Sequence, residues 1–242
     1  MTKPLIGINP YYFKYNDATW NGTKKKYYEA VSKGGGIPVT LHYPTEDISI
    51  DDIVQRIDGL MMVGGDDIPP ETYNCQHPEL VIDPPLAPER EAFDRAIVKA
   101  TIKAHKPVLA ICVGLQHINV IHGGTLYEDI NTLIPNHINH GVFNGPWIEH
   151  DVELKKSSLV ASIMGTTSPS VASTHHQGIR ELGEGLFATG KSSDGLIEAV
   201  ESEQYPDLLV AVQWHPELLI ERVEHLSLFK WLSSKASKQR LH

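Results

Sequence analysis

The 242-residue chain has only two cysteines, Cys75 and Cys112. Two thiols give no disulfide framework, and the chain reads as a protein of a reducing, cytoplasmic compartment. Its start, MTKPLIGINP, lacks the basic and then long apolar pattern of an export signal. Apolar runs such as LIG and GLIEAV fall far short of the ~20 residues that cross a bilayer. Basic residues are in deficit: Lys plus Arg number 21 against 30 acidic residues, a formal net charge of −9. Neither a phosphate-neutralising nucleic-acid surface nor a membrane surface suits that balance, so a small molecule is the expected partner. Repeats, low-complexity tracts and linkers are also missing, which implies one domain over residues 1–242.

What is present is alternation. Short apolar runs bounded by turn residues exchange with longer stretches of helical period, the pattern of parallel strands joined by crossover helices. Residues 4–9 (PLIGIN) read as a first strand, 24–33 as a helix stopped by Gly34, Gly35 and Gly36, and 37–41 as a second strand. A short helix over 51–56 precedes the strand GLMMV and the pair Gly64-Gly65. After a proline-rich loop, PEREAFDRAIVKATIKAHK has proline at its start, glutamates in its first turn and basic residues in its last, so it reads as a helix. PVLAI is then a buried strand feeding a helix over 114–122, which Gly123-Gly124 close. Residues 125–178 read as hairpins and loops over one end of the sheet. GLFATGKS, GLIEAVES and LLVAVQWH read as strands, and an amphipathic helix is expected to begin at Pro216.

Cys112 sits where PVLAI turns into a helix without a loop. A helix N-terminus stabilises thiolate, and Ala110 and Gly114 at −2 and +2 are the small residues that a strained nucleophile elbow needs. The same stretch is compatible with a cysteine that only packs. His215 follows a buried strand, and Glu217 follows it by two residues. A histidine there can take the thiol proton and return it to a leaving amine, while the carboxylate fixes its tautomer. Gly65 and the amide of Val113 can form an oxyanion hole, although Gly-Gly after a strand is also an ordinary turn.

Together, GGDDIPPETY, AICVGLQHINVIHGGTLYEDI and QWHPE resemble the class I glutamine amidotransferase-like hydrolases. Within them, GGxDIxPxxY over 64–73, EREAFD, STHHQ over 173–177 and DGLIEAVE over 194–201 are similar to the gamma-glutamyl peptidase (peptidase C26) branch, which includes gamma-glutamyl-gamma-aminobutyrate hydrolases of putrescine breakdown. The resemblance implies a three-layer α/β sandwich with a central, mostly parallel sheet, of the flavodoxin-like type. It implies a hydrolase in which Cys112, His215 and Glu217 form the triad, Gly65 and Val113 the oxyanion hole, and a gamma-glutamyl thioester the intermediate. Neither metal nor organic cofactor is implied. Gln116, His175, His176 and Gln177 are the implied holders of the glutamyl group. The substrate is then a small gamma-glutamyl conjugate, and the assembly of two copies stays open. A glutaminase subunit feeding ammonia to a separate synthetase, or a non-catalytic binding protein on the same fold, are the alternatives. One departure bears on substrate: the residue after the nucleophile, commonly arginine in this branch, is Val113.

Among other candidates, Cys75 lacks a strand-to-helix setting and reads as an incidental thiol. His137, His140 and His150 show no i, i+4 pair and no cysteine companion, so they read as loop histidines rather than metal ligands. Adjacent His175 and His176 should point apart, so at most one faces Cys112 directly. Lys24, Lys25 and Lys26 read as the solvated start of a helix. The aromatic cluster Tyr11, Tyr12 and Phe13 lines a pocket rim or covers a strand end.

Overall fold

The computed structural model describes residues 2–143 and 145–239. The first strand, β1 (Leu5–Ile8), is followed by a hairpin, β2 (Tyr11–Tyr15) and β3 (Ala18–Gly22), that sequence reasoning passed over. Its two-residue loop is Asn16-Asp17, both with positive φ (49° and 58°), the geometry of a tight hairpin turn that these residues tolerate. Phe13, Tyr15 and Trp20 stand exposed on it.

Then come α1 (Lys25–Lys33), β4 (Ile37–Thr40), α2 (Ile50–Arg56) and β5 (Gly59–Met62). Helix α3 (Pro88–Lys103) begins at the proline, as expected, and leads to β6 (Val108–Ile111), α4 (Val113–Ile121) and β7 (Thr125–Tyr127). The looser middle holds α5 (Ile130–Leu133), β8 (Ile148–Leu154), α6 (Leu159–Met164), β9 (Ser170–Ser173) and β10 (Gly178–Glu181). Hairpins were expected there and β8–β9 is one, but α6 was not foreseen. Its signals are local: Ser158 accepts the Ala161 N–H as N-cap, and Gly165 closes it in the left-handed region. The chain ends with β11 (Leu186–Ser192), β12 (Ile197–Ser202), β13 (Leu209–Val212) and α7 (Val223–Gln239).

The main sheet runs β4-β1-β5-β6-β13-β12-β11-β8-β9, with β10 pairing β12 and β7. Its first five strands are mutually parallel, and from β12 onward the pairing is antiparallel. Helices α1 and α7 pack on each other and on the parallel strands, while α2, α3 and α4 form a second packed group against the same strands. The α/β sandwich is therefore the expected one. The fully buried strands β5, β6 and β13 supply its centre, from Leu60, Met61 and Met62 to Val210 and Val212. Among the described residues no helix is long and apolar enough to cross a membrane.

One boundary differs from expectation. The helix read as starting at Pro216 is a single 3-10 turn over Pro216–Leu218, and α7 starts at Val223. Residues i and i+2 on a helix do not face each other. Glu217 reaches back to His215 because this segment is a tighter 3-10 turn and His215, just before it, is not in helical conformation.

Candidate active site

The parallel strands β5, β6 and β13 deliver their chains to one edge of the sheet, where open α/β folds bind ligands. Directly after β6, Cys112 caps α4 with φ 54° and ψ −110°. A side chain in this region costs on the order of 1–3 kcal/mol, strain that the surrounding fold must over-determine. The bend is possible because α4 lies close against β5. A β-carbon on Gly114 would come within 2.7 Å of Met62 Cβ, so only glycine fits at the +2 position of the elbow.

After β13, His215 is buried, and its Nδ1–H donates to Glu217 Oε1 at 2.7 Å. This keeps a proton on Nδ1 in either charge state and leaves Nε2, itself buried and without a hydrogen-bond partner, as the atom that exchanges a proton. A β-carbon on Gly64 would lie 3.5 Å from Cys112 Cβ and 3.1 Å from His215 Cε1, so both side chains converge on one bare piece of backbone. Burial works against charge on His215, but Glu217 and then Cys112 outweigh it and push its pKa up to about 10. The Cys112–His215 pair is thus electrostatically coupled without a closed hydrogen bond, as is common before substrate aligns the groups.

The oxyanion side is built from backbone. Buried Arg90, countered by Asp94 at 3.2 Å, donates from Nη2 to the Gly64 carbonyl at 2.7 Å. Across a trans peptide the Gly65 N–H points opposite to that carbonyl. Arg90 therefore holds the orientation of the Gly65 amide, and a β-carbon on Gly65 would meet Arg90 Nη1 at 2.5 Å. Val113, the first residue of α4, has one of the N–H groups that a helix leaves without an internal acceptor.

A cavity of about 370 Å³ collects Cys112, His215, Glu217, Gly65, Val113, Gln116, His175, His176 and Gln177. That volume suits a small ligand. Gln116 donates to the Gln177 carbonyl (3.2 Å) and to Gln213 Oε1 (3.3 Å), leaving its own Oε1 without a partner. The two histidines diverge, as expected: His176 Nε2 meets Asp67 Oδ1 at 2.7 Å, whereas His175 turns its Nε2 to Glu198. Sequence reasoning missed Arg90 as a support of the site, although EREAFD contains it. It also missed Tyr27, whose hydroxyl accepts the Gly64 N–H at 3.2 Å. The lysines read as merely solvated border the cavity, with Lys24 Nζ 4.7 Å from the Tyr11 ring centre. Tyr11 is the member of the aromatic cluster that lines it.

Residues 4–217 match the peptidase C26 family. The chain belongs to that family. Among its relatives, the Escherichia coli gamma-glutamyl-gamma-aminobutyrate hydrolase is 28% identical over 90% of this chain and 87% of its own. A Mycobacterium tuberculosis protein named "Putative glutamine amidotransferase" is 32% identical over 98% of this chain and 76% of its own. In fold, the chain is similar to the crystal structure of a "putative gmp synthase subunit a protein" from Thermoplasma acidophilum, with a TM-score of 0.67 at 15% identity over 100% of this chain and 98% of that one. For this C26 chain, the family and the curated relatives support an activity of the gamma-glutamyl amide hydrolase or amidotransferase-like kind.

Two expectations about other residues fare differently. Cys75 does not border the cavity, and burial with the nearby Glu128 pushes its thiol pKa up, away from reactivity. The reading of His140 and His150 as loop histidines holds for His140 and not for His150, and the reading that they lack ligand geometry is corrected. His150 lies in β8, His140 is buried, and their donor atoms lie within 4.8 Å of those of His175 and Glu198. Their spacing in sequence shows nothing, because antiparallel strands bring them together. His137 stays apart, bonded to the Ile138 carbonyl.

Proposed function

We propose that the protein is a cysteine hydrolase of small gamma-glutamyl amides, with gamma-glutamyl-gamma-aminobutyrate or a related conjugate as substrate. The observation that carries this reading is the set Cys112, His215 and Glu217: a nucleophile on a strained elbow and a histidine whose tautomer a 2.7 Å carboxylate contact fixes, both on one cavity.

In this reading Cys112 Sγ, its proton taken by His215 Nε2, adds to the amide carbonyl. The oxyanion forms against the N–H groups of Gly65 and Val113. His215 returns the proton to the leaving nitrogen, the C–N bond breaks, and a gamma-glutamyl thioester remains. Water, deprotonated by His215, adds to that thioester and releases glutamate and the free thiol. The two carboxylates of gamma-glutamyl-gamma-aminobutyrate match the cavity's Lys24, Lys25 and Lys26. These take the part of the cation that Val113 does not provide. Both cysteines are free, which fits a reducing, cytoplasmic setting.

The test is glutamate release from gamma-glutamyl-gamma-aminobutyrate, glutamine and a gamma-glutamyl oligomer by wild type and Cys112→Ala. The expected result is activity on the conjugate, with a loss of at least about 10³-fold in the variant. Release that survives the substitution would overturn the nucleophile. Hydrolysis of glutamine alone would replace this reading with that of a glutaminase subunit serving a synthetase.

A further inference from the structure

Behind the cavity wall lies a second group of histidines, of which the hydrolytic reading uses only His175, a residue that also borders the cavity. His140 comes from the segment before β8, His150 from β8, His175 from the turn after β9 and Glu198 from β12. Three ring nitrogens face one carboxylate oxygen. His140 Nδ1, His175 Nε2 and His150 Nε2 lie 3.4, 3.6 and 3.8 Å from Glu198 Oε1. All four atoms are buried without a hydrogen-bond partner.

The opposite edges of the rings determine which protons are present. His175 Nδ1 lies 2.9 Å from the Gln177 carbonyl and His150 Nδ1 3.2 Å from the Asp151 carbonyl. A carbonyl only accepts, so both nitrogens carry N–H, and each ring in its neutral form turns a bare lone pair inward. His140 Nε2 is held at 2.9 Å by Asp194, a carboxylate that also accepts from the Ile138 N–H. Lone pairs facing a buried carboxylate oxygen repel it unless a positive centre lies between them. The outward bonds to carbonyls and a carboxylate are also what orients histidines that ligate metals.

We propose that His140, His150, His175 and Glu198 bind one divalent transition-metal cation of the zinc class, as a closed structural site behind the catalytic wall. Tetrahedral bonds of about 2.0–2.1 Å separate neighbouring donors by about 3.3 Å, close to the spacings around Glu198 Oε1. Three imidazoles and one carboxylate suit zinc, whereas magnesium and calcium take oxygen sets. Four protein donors fill the tetrahedron and leave no position for a reacting water. Glu198 and Asp194 together balance a charge of +2. The cation would join the segment that brings Phe143 and Trp147 to the cavity to three strands of the antiparallel half. The Gln177 carbonyl, which binds both His175 and Gln116, links this site to the wall of the first.

The experiment uses the full chain with Cys112→Ser, so that the catalytic thiol takes no part and the outcome does not depend on the hydrolase reading. After chelation, the protein is titrated with cobalt and then zinc, followed by visible absorption, elemental analysis and thermal melting. The expected result is one cobalt per chain with the intense visible bands of four-coordinate cobalt, displacement by zinc and a raised melting temperature. Asp194→Asn should weaken binding about 10–100-fold, and folded His150→Ala should abolish it. Absence of stoichiometric uptake, the weak bands of six-coordinate cobalt, or uptake undiminished in folded His150→Ala overturns the proposal. If His150→Ala does not fold, the cobalt spectrum and the Asp194→Asn affinity decide.

Discussion

Two of the histidine–carboxylate groups of this molecule use the same side chains to opposite ends. At the parallel edge one histidine meets one carboxylate through its Nδ1–H, and its free Nε2 is directed to a thiol on a cavity. In the antiparallel half, three rings spend their outer N–H groups on carbonyls and Asp194, and their remaining nitrogens crowd one sealed carboxylate oxygen. The first arrangement leaves a base that can exchange a proton with a group on the cavity, and the second turns its basic nitrogens onto one buried carboxylate oxygen. What differs is which edge of the ring the carboxylate holds. The supports differ too: backbone strain and glycine contacts hold the first group, while converging side chains hold the second.

The largest expected effect comes from Glu217→Gln, which removes the carboxylate from the first group. Amide hydrolysis should fall by about 10⁴-fold in kcat, as when a triad carboxylate becomes an amide. His215, with its main raising partner gone, should titrate below its value of about 10. Because that pKa is raised by folding, the stability it contributes is fully present below pH 6.5 and is lost as pH rises through about 10. An NMR titration of His215 in both proteins checks the shift, and an unmoved titration would remove the contrast between the groups. Next in size is Glu198→Gln, which breaks the buried cluster. It should destabilise by about 3 kcal/mol, roughly 6–12 °C in melting temperature for a chain of this length, with Cys112 alkylation unchanged. Loss of thiol reactivity without loss of stability would show that the second group belongs to the catalytic machinery. Gly114→Ala is the smallest: pushing α4 off Met62 should cost about 1–3 kcal/mol in a denaturant melt and slow Cys112 alkylation through the displaced elbow.

The parallel half was legible because its information is local. A buried strand, a small-x-Cys-x-Gly turn and a helix pattern stand next to each other in the chain, and QWHPE follows another buried strand directly. Helix α7 was placed too early because propensity and proline favour a start at Pro216, while the His215–Glu217 contact needs a 3-10 turn there. The hairpin at Asn16-Asp17 carried a turn signal that an apolar-run reading overlooks. The histidine cluster was not legible at all. A search for i, i+4 pairs detects ligands on one helix, whereas His140, His150, His175 and Glu198 meet only after β8, β9, β11 and β12 have paired.

The positive φ of Cys112 says something about how the chain persists over time. Any residue with a β-carbon is held there at a cost, and glycine alone would sit in that turn without it. Drift toward greater stability would therefore favour loss of the sulfur, so a lineage released from catalysis would be expected to drop it first. Under the proposed function it is the reaction that keeps cysteine at this strained position, against the preference of its own fold.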